Sequence, residues 1–209
     1  MKKLLLLFLI SILPFSVLGQ TDMVKWVNSN FSPTTQITNI SANSISVNGG
    51  VQLVQNDYGS TDTFFQTSGW DSQNQVNTNK YIQFTIKANN GFIVKPTTFS
   101  FKARNQGGTS KIVVRYSNNA NFSGFGTFSN VAQTSANYVN YSLNFPANYA
   151  SAVGSSIYVR IYIYETNNNF HISYDTGANE GPTFSGTLSS STVLAVNDAE
   201  TVANDEVSN

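Results

Sequence analysis

The chain is predicted to be all-β, an antiparallel sandwich or barrel, and three observations carry that prediction. The first is residues 156–165, where Ile157, Val159, Ile161 and Ile163 alternate with Tyr158, Arg160, Tyr162 and Tyr164. Strict period-two alternation of β-branched and aromatic residues puts one set on each face of a strand. The second is composition: only 11% of residues are charged, against roughly a quarter in ordinary soluble domains. The Glu, Lys, Arg and Ala that clothe helix surfaces give way to Ser, Thr, Asn and Gly. The third is a succession of short apolar runs divided by Asn-, Ser- and Gly-rich turns, with no helical segment between them.

In chain order, residues 1–19 read as a signal peptide. Lys2 and Lys3 precede an apolar run at 4–13 broken only by Ser11, and Pro14, Ser16 and Gly19 lead to a cut before Gln20. The apolar run is shorter than the roughly 20 residues that span a bilayer. The protein is therefore expected to be secreted or displayed at the cell surface, with no membrane span in the mature chain. Residues 20–189 are expected to form the sandwich domain. Residues 190–209 read as a disordered acidic tail or linker.

Within the domain, short runs at 24–27, 36–40, 44–47 and 51–54 come first. Gly49 and Gly50, between 46–48 and Val51, predict a hairpin, because such turns need positive φ. Residues 56–78 read as a long polar loop anchored by Tyr58, Phe64, Phe65 and Trp70. A β-meander follows by pattern. Its strands are 80–87 with Ile82, Phe84 and Ile86 inward, 97–104 with Phe99, Phe101 and Ala103 inward, and 111–116. Asn89, Asn90 and Gly91 mark a turn, and Pro96 sits just ahead of the second strand. Residues 138–145 alternate again, and after the central strand come 170–175, a Gly-rich loop at 176–181 and a closing strand at 183–188.

With 209 residues, 40% of them hydrophobic and 13% aromatic, one domain with a substantial core is expected. Eleven basic residues balance 11 acidic ones, and no Lys/Arg run is interleaved with aromatics, so a nucleic-acid partner has no electrostatic support. Cysteine is absent, which removes disulfides, thiolate metal sites and a Cys nucleophile.

Several stretches together carry a family likeness: Ser-Gly-Trp at 68–70, residues 80–86, Phe99 and Phe101, Gly107 and Gly108, residues 114–117, Asn121 and Phe122, residues 157–161, and residues 184–187. From about Trp26 to Leu188 the chain resembles the jelly-roll-like β-sandwich module of proteins exported by the type IX secretion system. That resemblance implies an architecture more than a function. In the family the module often adjoins a catalytic or adhesive domain and precedes a C-terminal sorting domain. Residues 193–200 look like the linker to one, and the chain ends at Asn209, where it would begin. The usual Asp-Asn-Val type ending of the module is replaced here by residues 171–175 and a longer loop.

Four chemistries compete for these residues. A nucleophile–His–acid triad could use only His171, which shares its strand side with Ser173 and Asp175 and lacks a Gly-x-Ser-x-Gly elbow, so an exposed or edge-face structural role is expected instead. A carboxylate-dependent hydrolase would draw on Asp71, Asp175 or Glu180, but sequence spacing pairs no two acids. A structural calcium could take oxygens from Asp57, Asp62 and Asp71 in the long loop, or from Asp175 and Glu180. Finally, the outward Tyr158, Arg160, Tyr162 and Tyr164, with Trp70 beside them and Tyr81, Gln83, Lys111 and Arg115 extending the face, could stack on sugar rings. The same tyrosines could instead pair across strands or pack beneath a loop that carries Trp70. The expected function is a non-enzymatic exported binding or adhesion module, its partner an extracellular glycan or surface protein. An accessory structural domain of a larger secreted protein and the hydrolase are the alternatives.

Overall fold

The computed structural model describes residues 21–57, 63–128, 136–175 and 180–191. The expected signal peptide, Tyr58, Asp62 and nearly all of the acidic tail lie outside the described residues. Among the described residues there are fourteen strands, beginning with β1 (Thr21–Lys25), β2 (Thr34–Thr35), β3 (Ile40–Ala42), β4 (Ser46–Asn48), β5 (Gln52–Asp57), β6 (Thr63–Ser68) and β7 (Tyr81–Ala88). They continue as β8 (Phe92–Asn105), β9 (Lys111–Ser117), β10 (Gly126–Thr127), β11 (Val139–Asn144), β12 (Ser156–Tyr164), β13 (Phe170–Ser173) and β14 (Thr183–Ser190).

These strands make two antiparallel sheets, so the predicted all-β sandwich is what forms. The first has eight strands in the order β2-β1-β14-β8-β13-β6-β5, with β11 also along β8. The second has six, in the order β10-β9-β12-β7-β3, with β4 also on β7. The inward alternates of both sheets meet in one core: Ile82, Phe84, Ile86, Val114, Ile157, Val159 and Ile161 from one side, Phe99, Phe101, Ala103, Phe170, Ile172 and Phe184 from the other. Aromatic contacts stitch the two layers. Phe84 of the six-stranded sheet lies 5.1 Å from Phe99 of the eight-stranded one, and Trp26 lies 5.1 Å from Phe84. The indole N–H of Trp26 donates to the Asn43 carbonyl (2.9 Å), so its burial leaves no polar group unmet.

Four expectations are corrected by this topology. The turn at Gly49 and Gly50 exists, with φ of 69° and 83°, but the strands it joins do not pair. β4 pairs β7 and β5 pairs β6, so the turn carries the chain from one sheet to the other. A Cβ at Gly49 would sit 2.3 Å from the Asn79 carbonyl oxygen, which leaves room only for glycine there. The meander is likewise absent: β7 and β9 belong to the six-stranded sheet and β8 between them to the other. The long polar loop contains a strand, β6, bonded to β5 and β13. Lastly, Pro96 lies inside β8, opposite Gly186, at a bulge where Thr97 is the extra residue. The inward set shifts there from Val94 and Pro96 to Phe99, Phe101 and Ala103.

Candidate functional site

The outer face of the six-stranded sheet carries the chemistry, and its register puts the groups in one row. Arg160 on β12 lies directly opposite Gln83 on β7 and, on its other side, opposite Arg115 on β9. Period-two alternation aims all three away from the core, because Ile161, Phe84 and Val114 next to them point inward.

Both guanidinium groups lie against aromatic rings. The Cζ of Arg160 is 3.9 Å from the centroid of the Tyr81 ring and 3.9 Å from that of Phe122. Arg115 lies 4.3 Å from Phe125 and 5.1 Å from Tyr162. Such contacts fix the orientation of a group that would otherwise be mobile, and add attraction between cation and ring. Arg160 is anchored further: its Nε donates to Gln83 Oε1 (2.8 Å) and its Nη2 to the Ala120 carbonyl (2.8 Å). Gln83 in turn donates its amide N–H to Thr85 Oγ1 (3.3 Å), which fixes which end of the amide meets the arginine.

Phe122 and Phe125 come from the loop at 118–125, which folds over the sheet and holds itself in place. The Asn119 carboxamide accepts from the Asn121 backbone N–H (2.9 Å) and donates to Ser123 Oγ (2.7 Å), while Ser117 Oγ donates to the Gly124 carbonyl. Phe122 adopts a φ of 52°, a left-handed conformation uncommon for a bulky side chain, and its ring lies against Arg160 and 6.5 Å from Tyr158. Between loop and sheet opens a cleft of about 390 Å³ lined by Asn48, Tyr81, Arg115, Asn121, Phe122, Phe125, Arg160 and Tyr162, with Thr78 and Asn79 at its side. Phe125 is 49% exposed and offers an open ring at the rim.

The predicted site residues are thus only partly gathered. Arg160 and Tyr162 line the cleft. Tyr162, however, is only 2% exposed and packs 6.0 Å from Tyr81. Its ring is the floor beneath Arg115 and offers no open platform. Tyr158 packs against Phe122, and Tyr164 lies opposite Lys111, one step along the sheet. Trp70 is corrected outright: it is 5% exposed, belongs to the core, and donates its N–H to the buried Thr67 hydroxyl (3.2 Å). The covering loop carries Phe122 and Phe125, and Trp70 lies elsewhere. Of the proposed extension of the face, Gln83 and Arg115 share the row of Arg160 and Tyr81 lines the cleft, whereas Lys111 is engaged by Glu165 (2.6 Å).

No protein-family model matches the chain, and no curated protein matches it. Several solved structures are similar to it, among them the following three. One is a CBM22-1 xylan-binding domain from Paenibacillus barcinonensis, at 10% identity and a TM-score of 0.42, covering 68% of this chain and 84% of that one. Another is a family 29 carbohydrate-binding module from Piromyces equi, at 8% identity and a TM-score of 0.45, covering 81% and 92%. The third is a family 11 carbohydrate-binding module from Clostridium thermocellum, in complex with a mixed-linked tetrasaccharide, at 12% identity and a TM-score of 0.39, covering 80% and 98%.

Of the acids named for calcium or hydrolysis, Asp57, Asp71, Asp175 and Glu180 fall within the described residues. Asp71 receives hydrogen bonds from Lys80 Nζ (2.6 Å) and Asn77 Nδ2 (2.8 Å). These hold its carboxyl below the usual carboxylate range, a poor state for a general acid. Asp175 and Glu180 are exposed and exchange backbone hydrogen bonds of 2.7 and 2.9 Å. Asp57 ends β5, its backbone paired with Thr63. Among the described residues no group of three or more His, Asp or Glu side chains converges on a metal position. His171, expected on an exposed or edge face, is 1% exposed on a strand between β6 and β8. It stacks 4.0 Å from Phe64 and accepts a hydrogen bond from Arg104 Nε at Nδ1 (3.2 Å).

Proposed function

We propose that the protein is a non-catalytic glycan-binding module of an exported protein, with the cleft under the 118–125 loop as its binding site. The observation that carries this reading is the pair of guanidinium groups held against aromatic rings beside the open ring of Phe125. A saccharide presents hydroxyls at its edge and apolar C–H groups on its faces. It is recognised by fixed polar groups and an aromatic ring together. Arg115, Arg160, Asn48, Asn79 and Asn121 supply the first, Phe125 and the half-buried Tyr81 the second. These groups bind and orient. The lining residues include none of the carboxylates or imidazoles that move protons. Export rests on the reading of residues 1–19 as a signal peptide, and passage through type IX secretion would follow from the family likeness.

Affinity electrophoresis of the chain from Gln20 onward through gels containing soluble polysaccharides tests the reading, run with calcium and with chelator. Retardation by at least one polysaccharide is expected, with Phe125→Ala weakening it about tenfold, a loss in the range of one interfacial anchor. Equal retardation of wild type and Phe125→Ala, or none on any polysaccharide, would overturn it. Retention that requires calcium would bring back the structural-calcium proposal for the loop acids.

A further inference from the structure

Arg115 and Arg160 face each other directly across the β9–β12 pair. Like charges in directly opposed cross-strand positions repel and destabilise a sheet. Two other cations near this face are neutralised: Lys80 by Asp71 and Lys111 by Glu165, each at 2.6 Å. The arginines have no such neighbour among the described residues. Arg160 spends its bonds on two neutral oxygens, from Gln83 and Ala120. The Nε–H of Arg115 is buried and meets no acceptor among the described residues. Two charges with locked orientations, mutual repulsion and an unmet donor, all at one cleft, are stabilised most by an anion placed between them.

Resting on the glycan-binding reading, we propose that the cleft selects an anionic saccharide, taking its carboxylate or sulfate group between Arg115 and Arg160. The planar guanidinium forks suit the two oxygens of a carboxylate, and a sulfate ester offers the same acceptor geometry. The rings of Tyr81, Phe122, Phe125 and Tyr162 limit water on the faces of the forks, which strengthens the charge interaction. Asn48, Asn79 and Asn121 remain for the neutral hydroxyls of the same ring.

The test is calorimetric titration of the chain from Gln20 onward, which carries all of the described fold, with three classes of oligosaccharide. These are uronates such as oligogalacturonates, sulfated oligosaccharides, and neutral xylo-, manno- and gluco-oligosaccharides. One acidic class should bind at least about tenfold more tightly than every neutral one, and its affinity should fall between about 50 and 500 mM sodium chloride. Preference for uronates assigns the carboxylate, and preference for the sulfated class assigns the sulfate. Arg115→Gln and Arg160→Gln should each remove the acidic preference, whereas Arg115→Lys should keep the salt dependence and lose part of the affinity. In the wild-type protein, independent of any variant, the Arg115 Nε–H resonance should shift on saturation. Equal affinity for neutral and acidic oligosaccharides would overturn the anionic preference and leave the glycan-binding reading standing. An unmoved Arg115 resonance would do the same. Binding of none of the three classes would overturn both.

Discussion

Single residues show where alternation is informative and where it stops. The pattern at 156–165 identifies Ile157, Val159, Ile161 and Ile163 as core, and all four are buried. It cannot tell that Tyr162, on the other face, is roofed over. The roof is the 118–125 loop, distant in sequence and without a period of its own. The signal available in that loop was two phenylalanines inside turn-forming sequence, Phe122 after Asn121 and Phe125 between two glycines, where a polar loop has no need of them. Tyr141 gives a residue-scale prediction. It is 6% exposed, stacked 4.7 Å from Phe101, and its hydroxyl has no hydrogen-bond partner among the described residues. Burial pushes its pKa up from 10.0 to about 12. Tyr141→Phe should therefore raise the unfolding free energy by up to about 1 kcal/mol, read as a higher urea midpoint at unchanged m-value. The sign at high pH follows from the raised pKa. The wild type has the tyrosine's contribution in full below pH 10.0 and loses it as pH rises toward about 12, and the variant lacks that share of the loss.

Elements were legible where one face is wet and obscure where both are covered. β7, β9 and β12 follow from their alternation, but β6 does not, because Phe64 and Phe65 are adjacent and both buried. Phe65 faces the core, stacked 4.3 Å from Tyr174, and Phe64 faces the other way, onto His171. Alternation predicts only the later part of β8 for a related reason, since the bulge at Thr97 reverses its parity midway. The connection from β6 to β7 carries the element-scale prediction. Its residue Asp71 is tied to Lys80, whose ammonium also donates to the Gly69 carbonyl (2.6 Å). Thr78 and Asn79 of the same segment reach the cleft. Asp71→Asn should lower thermal stability at pH 7 by no more than about 1 kcal/mol, because the pair is partly exposed. The folded carboxyl has a lowered pKa, so the wild-type advantage is complete above the ordinary value of 3.8 and disappears as pH falls through the lower folded-state value. Melting curves of both proteins across that range should converge at the acid end. A constant gap would mean that the stability loss comes from something other than the carboxylate charge.

At the scale of the whole molecule, the class of fold was legible and the pairing was not. Period-two patterns say which residues point inward but not which strand lies alongside, and a turn signal such as Gly49-Gly50 serves a hairpin or a crossing between sheets equally well. The row Gln83, Arg160, Arg115 exists only because β7, β12 and β9 are neighbours, although they are separated along the chain by a strand of the other sheet or by long stretches. The outer face of the eight-stranded sheet offers a competing surface, a groove lined by Lys25, Ser100, Phe101, Asn140, Tyr141 and Glu180 among others. The most direct measurement is therefore amide chemical-shift mapping with a saccharide retained in affinity electrophoresis. The largest shifts should fall at Gln83, Arg115, Asn121, Phe122, Phe125 and Arg160, and the groove around Ser100 and Asn140 should stay still. Shifts centred on that groove, with the arginine row unmoved, would contradict the assignment of the binding site.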